Sequence, residues 1–227
     1  MDAKKVLTFF REMNEIPRGS YNEKAVSDWL VAFAKERNFE VRQDKALNVI
    51  IKKPATPGYE DHPAIILQGH MDMVCEKTDD SNHDFTKDPI AFIVDGDWLH
   101  ADRTTLGADN GIAVAMSLAV LDSDTIQHGP LTCIFTTSEE TSMGGAKELD
   151  ATGVVGKYLL NIDTEEEDMI VQNGFYPSML AIAERAWRGG GTEYFDGNGT
   201  MLPAEDTETF HEFVDFENRM LWHKEHT

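Results

Sequence analysis

The sequence predicts an α/β fold: a mixed, mostly parallel sheet with helices on both faces, followed by a helical tail. Three observations carry this reading. The apolar runs AIILQ (64–68), LTCIFTT (131–137) and YLLNID (158–163) have the length and composition of strands buried on both faces. Helical periodicities lie between such runs, the alternation expected when helices cover a sheet. The chain has 227 residues, about one and a half domains' worth, and no internal repeat.

The elements follow in order. Ser20 and Glu23 have the S-x-x-E spacing of a capping box, and Val26, Trp29, Leu30 and Phe33 then recur on one helical face. Residues 39–43 and 47–52 read as two short strands, and Pro54, Pro57, Gly58 and Pro63 mark the next stretch as a loop. Residues 92–94 and 98–100 flank Asp95-Gly96, a hairpin signal. Gly111 opens a helix of small apolar residues, GIAVAMSLAVL. Beyond residue 167 the pattern changes. Residues 179–187 and the spacing of Phe210, Phe213, Val214, Phe216 and Leu221 are helical, with a polar stretch between them and no buried-type strand.

Composition narrows the function. Forty-one acidic against 20 basic residues give a formal net charge of -21, which disfavours nucleic acid and anionic membranes as partners because both require Lys and Arg. An apolar fraction of 41% excludes a disordered acidic tail. No apolar run reaches membrane-spanning length, and the N-terminal apolar stretch is too interrupted for a signal peptide. Cys75 and Cys133, in apolar runs, form no disulfide framework and read as small core residues. A cytoplasmic location is expected.

In open α/β sheets, ligands bind beyond the carboxyl ends of the strands. His70 and Asp72 follow AIILQG, Glu139 and Glu140 follow LTCIFTTS, and Asp163 ends YLLNID. Asp109, in GADNG, precedes the small-residue helix. Four segments thus aim His, Asp or Glu at one rim. So many carboxylates together repel one another unless cations neutralise them. Imidazole plus carboxylate without thiolate suits zinc, manganese or cobalt. A two-metal site needs a bridging carboxylate, and Asp109 is the candidate because flanking glycines allow close backbone approach. Asp72, in H-x-D, is placed to hold the imidazole tautomer. His62, His83, His100 and His128 lack partners at ligand spacing and read as surface residues.

The strings LQGHMDMVCEK, LGADNGIAVAMSLAVL, FTTSEETSMGGA and NIDTEEE resemble, in order, the M20 di-zinc metallopeptidases, in the aminoacyl-histidine dipeptidase branch. The resemblance covers residues 1 to about 167. It implies zinc-dependent hydrolysis of dipeptides, Xaa-His among them. It also implies roles: His70 and Asp163 as ligands of one zinc, Glu140 as a ligand of the second, Asp109 as the bridge, Asp72 orienting His70, and Glu139 as general base. The family's inserted lid domain, which carries its dimer contacts and substrate contacts, has no recognisable counterpart here, nor have the returning strands with a last histidine ligand. A homodimer of the family's kind is therefore not expected, and hydrolysis by this chain alone is expected to be impaired. Residues 168–227, with the run AERAW, resemble a late segment of family 20 β-N-acetylhexosaminidases. The expected organisation is thus an N-terminal part of a peptidase catalytic domain (1–167) joined to a helical tail of different origin (168–227). The alternative function is that of a non-catalytic, composite fragment.

Overall fold

The structure is a computed structural model that describes residues 3–96, 98–163 and 172–173. The helical patterns expected in the tail lie outside the described residues. A mixed sheet organises the rest. Its strands are β1 (Glu40–Gln43), β2 (Val49–Lys53), β3 (Ile65–His70), β6 (Leu131–Thr136), β7 (Tyr158–Asn161) and the short β8 (Gln172–Asn173), in the order β1-β2-β6-β3-β7-β8. A separate hairpin pairs β4 (Phe92–Asp95) with β5 (Trp98–Ala101), where the Asp95-Gly96 turn was expected. β3 runs parallel to both β6 and β7, while β1–β2 and β2–β6 are antiparallel. The sheet is mixed as expected, with β6, β3 and β7 as a parallel set.

Strand register shows how the core divides. Ile51, Cys133 and Leu67 are cross-strand partners, and their side chains join one large apolar cluster. Their neighbours Ile50, Ile134 and Ile66 belong to a second cluster with Leu149, Val154 and Leu159. Alternate residues of a strand point to opposite faces, so these are the two faces of one sheet. The first is covered by α1 (Ala3–Asn14), α2 (Lys24–Glu36) and α3 (Ala108–Leu121). The second is covered by the segment that supplies Leu149 and Val154, after the one-turn helices α4 (Glu139–Ser142) and α5 (Gly144–Lys147). Among the described residues, the three long helices α1, α2 and α3 all contribute to the cluster on the first face.

α1 is an addition to the expected elements. Val6, Phe9, Phe10 and Met13 are buried at helical spacing and pack on α3 and the sheet. Phe9 meets Phe33 of α2 edge-on at 5.5 Å, and Phe10 stacks on Phe92 of the hairpin at 5.3 Å between ring centroids. The small residues of α3, Ala113, Ala115 and Ala119, are fully buried and let these aromatic rings approach.

The capping box is corrected. α2 begins at Lys24, and neither Ser20 nor Glu23 caps it through a side chain. Both side chains are drawn away to the strand-end loops described below, since a buried carboxylate or hydroxyl with other donors and acceptors in reach is worth more there than at an exposed helix end. Cys133 is a core residue as expected, whereas Cys75 is exposed.

Candidate metal centre

Because β6, β3 and β7 are neighbours and parallel, their carboxyl ends lie on one rim. His70 is the last residue of β3 and pairs in register with Thr136, the last of β6. The chain after β6 enters α4 with Glu139 and Glu140 in its first turn, and Asp163 lies two residues past β7. Asp109 sits at the start of α3, in a kink where Asp109 and Asn110 have non-helical backbone angles and the peptide between them is cis. Regular helix follows from Gly111, as the sequence indicated.

The six expected site residues converge. His70 is 1% exposed, and its Nε2 lies 3.0 Å from Asp109 Oδ1, 3.8 Å from Asp163 Oδ1 and 3.9 Å from Glu139 Oε2. His70, Asp109 and Glu140 each offer a donor atom within 4.8 Å of the others. On its other side the ring presents Nδ1 to the backbone oxygen of Asp72 at 3.2 Å and to Asp72 Oδ1 at 3.3 Å. A proton on Nδ1 satisfies those oxygens and leaves the Nε2 lone pair facing the carboxylates, the tautomer a metal requires. His62, His83, His100 and His128 are not part of this group.

The charges in this group act on one another. Burial alone lowers the His70 imidazole, but the hydrogen bond and charge of Asp72, with Asp163 and Glu139, outweigh it and raise it to about 9. Glu139, Glu140 and Asp163 are pushed above the usual carboxylate range, first by burial and then by one another and Asp109. Asp72 goes the other way. Burial opposes its charge, yet hydrogen bonds from His70, Ser20 and the Glu139 amide keep it ionised well below the ordinary range. A cation relieves a crowd of half-buried carboxylates around one imidazole, so the donor set fits a divalent metal held by nitrogen and oxygen. In metal-free protein, the His70 ring is expected to keep its proton past neutrality and lose it near pH 9. Since the folded value exceeds the unfolded 6.5, its contribution to stability is complete below pH 6.5 and fades as pH rises through 9. Following the ring Cε1–H resonance in chelator-treated protein tests this; a midpoint at or below 6.5 would refute it.

Several supporting residues escape a reading by motif. Arg18 is 1% exposed and donates through Nη1 to the backbone oxygens of Met71 (3.1 Å) and Asp72 (3.2 Å), and through Nη2 to those of Gly107 (2.6 Å) and the Asn14 side chain (3.1 Å). Burial lowers its guanidinium to about 10, still charged at neutral pH, with Asp72, Cys75 and Asp109 holding it up. The glycines around Asp109 make room for it. A Cβ on Gly111 would stand 2.8 Å from Arg18 Nη2, and Gly107, at φ +69°, lies against the same group. Asn110 donates to the Ile162 oxygen (2.6 Å) and to Asp163 Oδ1 (2.9 Å), joining the α3 kink to the third strand end. No motif around Arg18 marks it, because its partners lie far away in the chain.

Residues 66–201 match the family model for peptidase family M20/M25/M40. The chain belongs to this family. The cytosol non-specific dipeptidase of Escherichia coli (strain K12) is 45% identical over 161 residues, covering 71% of this chain and 33% of that protein. Among solved structures, aminoacylhistidine dipeptidase from Vibrio alginolyticus aligns with a TM-score of 0.71 and 47% identity, over 74% of this chain and 34% of that one. A tripeptidase from Staphylococcus aureus shares the fold, with a TM-score of 0.61 at 24% identity over 74% of this chain and 45% of that one. The chain thus spans about a third of the length of the two dipeptidases. The α/β fold is that of the family's catalytic domain. The family match continues past Glu167 to residue 201, and the comparisons lend no support to the glycoside-hydrolase resemblance of the tail. Among the described residues, no helix is long and apolar enough to cross a membrane.

Proposed function

We propose that residues 1–167 carry the metal-binding part of a dipeptidase active site that acts on small peptides, Xaa-His among them, with two zinc ions, or manganese or cobalt in their place. The observation that carries this reading is the single His70 Nε2 facing Asp109, Asp163 and Glu139, which arrive from three other segments. Its likeness to two dipeptidases supports the substrate class. His70 and Asp163 would hold one ion and Glu140 the other, with Asp109 the carboxylate that could serve both. Bound there, such ions lower the pKa of a water and polarise the scissile carbonyl. The protein's own residues do the rest. Asp72 keeps the His70 proton on Nδ1. Glu139, with its carboxyl already raised by burial, accepts the proton of the attacking water and passes it to the leaving amine.

Purified protein loaded with zinc or manganese, assayed against alanyl-histidine, tests the reading. Turnover by this chain is expected to be low, and to fall about a further 10²–10⁴-fold in Glu139→Gln, the usual worth of a general base, with metal stoichiometry unchanged. Undiminished turnover in that variant removes Glu139 from the role. Failure of the unaltered protein to bind any divalent metal removes the reading itself.

A further inference from the structure

The short segment between α1 and α2 is not part of the ligand set, yet three of its side chains reach the loops that carry the ligands. Gly19 forms an isolated parallel bridge with Met73, which lays the segment along the loop that follows His70. Arg18 binds the backbone oxygens of Met71 and Asp72 in that loop and the Gly107 oxygen next to Asp109. Ser20 Oγ donates to Asp72 Oδ2 at 2.7 Å. Glu23, 3% exposed, accepts on one oxygen from both the amide and the hydroxyl of Ser138, each at 2.8 Å.

Each contact has a geometric consequence. Asp72 accepts from Ser20 and from the amides of Glu139 (3.1 Å) and Glu140 (3.3 Å), so its carboxylate ties β3's end to α4. Only one of those donors comes from outside the ligand loops, and it is Ser20. Ser138 is left-handed, at φ 51°, a conformation that an L-residue adopts only at a cost. The Glu23 carboxylate offsets that cost and aims the next two residues, Glu139 and Glu140, at the rim. A guanidinium fork suits Arg18 because its two nitrogens serve two different loops at once.

We propose that residues 18–23 form a positioning strap that sets the metal affinity of the site by holding the His70–Asp72 loop, the Asp109 kink and the Glu139–Glu140 turn in one arrangement. This rests on the metal-site reading above. Ser20, Glu23 and Arg18 act through the residues they hold; none is a ligand. The distinguishing feature is that Ser20 is far smaller than the core side chains, so its loss affects the aim of Asp72 more than the stability of the fold.

Zinc alone, titrated into chelator-treated protein in competition with a chromogenic chelator, provides the readout, beside the thermal midpoint of the metal-free form. Ser20→Ala is expected to weaken zinc binding about 10-fold, the low end of the cost of losing a residue that orients a ligand, because Ser20 acts on Asp72 and Asp72 on His70. Its metal-free midpoint stays within a few degrees of the parent. Ser20→Thr, which keeps the hydroxyl, restores the affinity. Glu23→Ala lowers affinity as well, and Glu23→Gln, which keeps an acceptor for Ser138, recovers part of it. Should Glu23→Ala not fold, the Ser20 pair decides alone. Parental zinc affinity in Ser20→Ala, or a loss that Ser20→Thr does not restore, overturns the strap while leaving the metal site standing. No zinc binding by the parent protein overturns both.

Discussion

Asp109→Asn is expected to weaken divalent-metal binding by about 100-fold or more, beyond the 10–100-fold that changes around a ligand cost. Asp109 Oδ1 is the carboxylate oxygen nearest His70 Nε2, at 3.0 Å, and the side chain belongs to the group that also contains Glu140. The substitution removes one negative charge and one oxygen donor from the centre of the cluster. The same change should not harm the metal-free fold. The Asp109 side chain is 66% exposed, and its charge helps to push Glu140 and Asp163 upward. Removing it relieves repulsion, so the thermal midpoint of chelator-treated protein is expected to hold or rise slightly. Calorimetric titration with manganese and a melting curve on the same sample check both halves. Parental affinity, or a fall in the metal-free midpoint of many degrees, would show that Asp109 serves the fold and not a cation.

Arg18→Met produces the opposite pattern, a loss of stability before any loss of function is read. The methionine fills much of the volume but removes four buried hydrogen bonds: the Met71 backbone oxygen and the Asn14 side-chain oxygen lose the guanidinium, while the Asp72 backbone oxygen keeps only His70 Nδ1 and the Gly107 oxygen only the Gly111 amide. Hydrogen bonds to a charged donor are worth about 1.5–3 kcal/mol each and do not add fully, so a cost on the order of 3–5 kcal/mol is expected. Against a total of about 5–15 kcal/mol for a domain, that is a large fraction. Urea unfolding of metal-free protein measures it. A midpoint unchanged from the parent would mean that water replaces the guanidinium at these oxygens. Glycine at 107 and 111 belongs to the same account. Without it the guanidinium has no room beside the Asp109 loop.

The two variants separate two kinds of residue that the site contains. Asp109, Glu139, Glu140 and Asp163 are tolerated by the fold although they repel one another. Arg18, Ser20 and Glu23 hydrogen-bond the loops that carry that crowd. Strain and repulsion of this kind collect where chemistry is done and are compensated nearby.

Much of this protein was determined by sequence alone. The buried strands at β3, β6 and β7 are legible because a continuous apolar run has few other uses, and the residues directly after them are therefore placed at the strand ends. That is why the sequence alone places His70, Asp72, Glu139, Glu140 and Asp163 at one rim of the sheet. Asp109 was legible through its glycines. Tertiary structure decided the rest. The S-x-x-E pattern at Ser20 and Glu23 has the local spacing of a cap, yet both side chains find stronger partners in Asp72 and Ser138, which are far away in the chain. Local patterns report only what a residue can do with its neighbours. Whether a distant donor or acceptor outbids them depends on the sheet register that brings residues 18–23 against 71–73 and 138, and on burial that strengthens whichever bond is made. The side on which the long helices pack was likewise settled by register, since alternate residues of each strand could have offered either face.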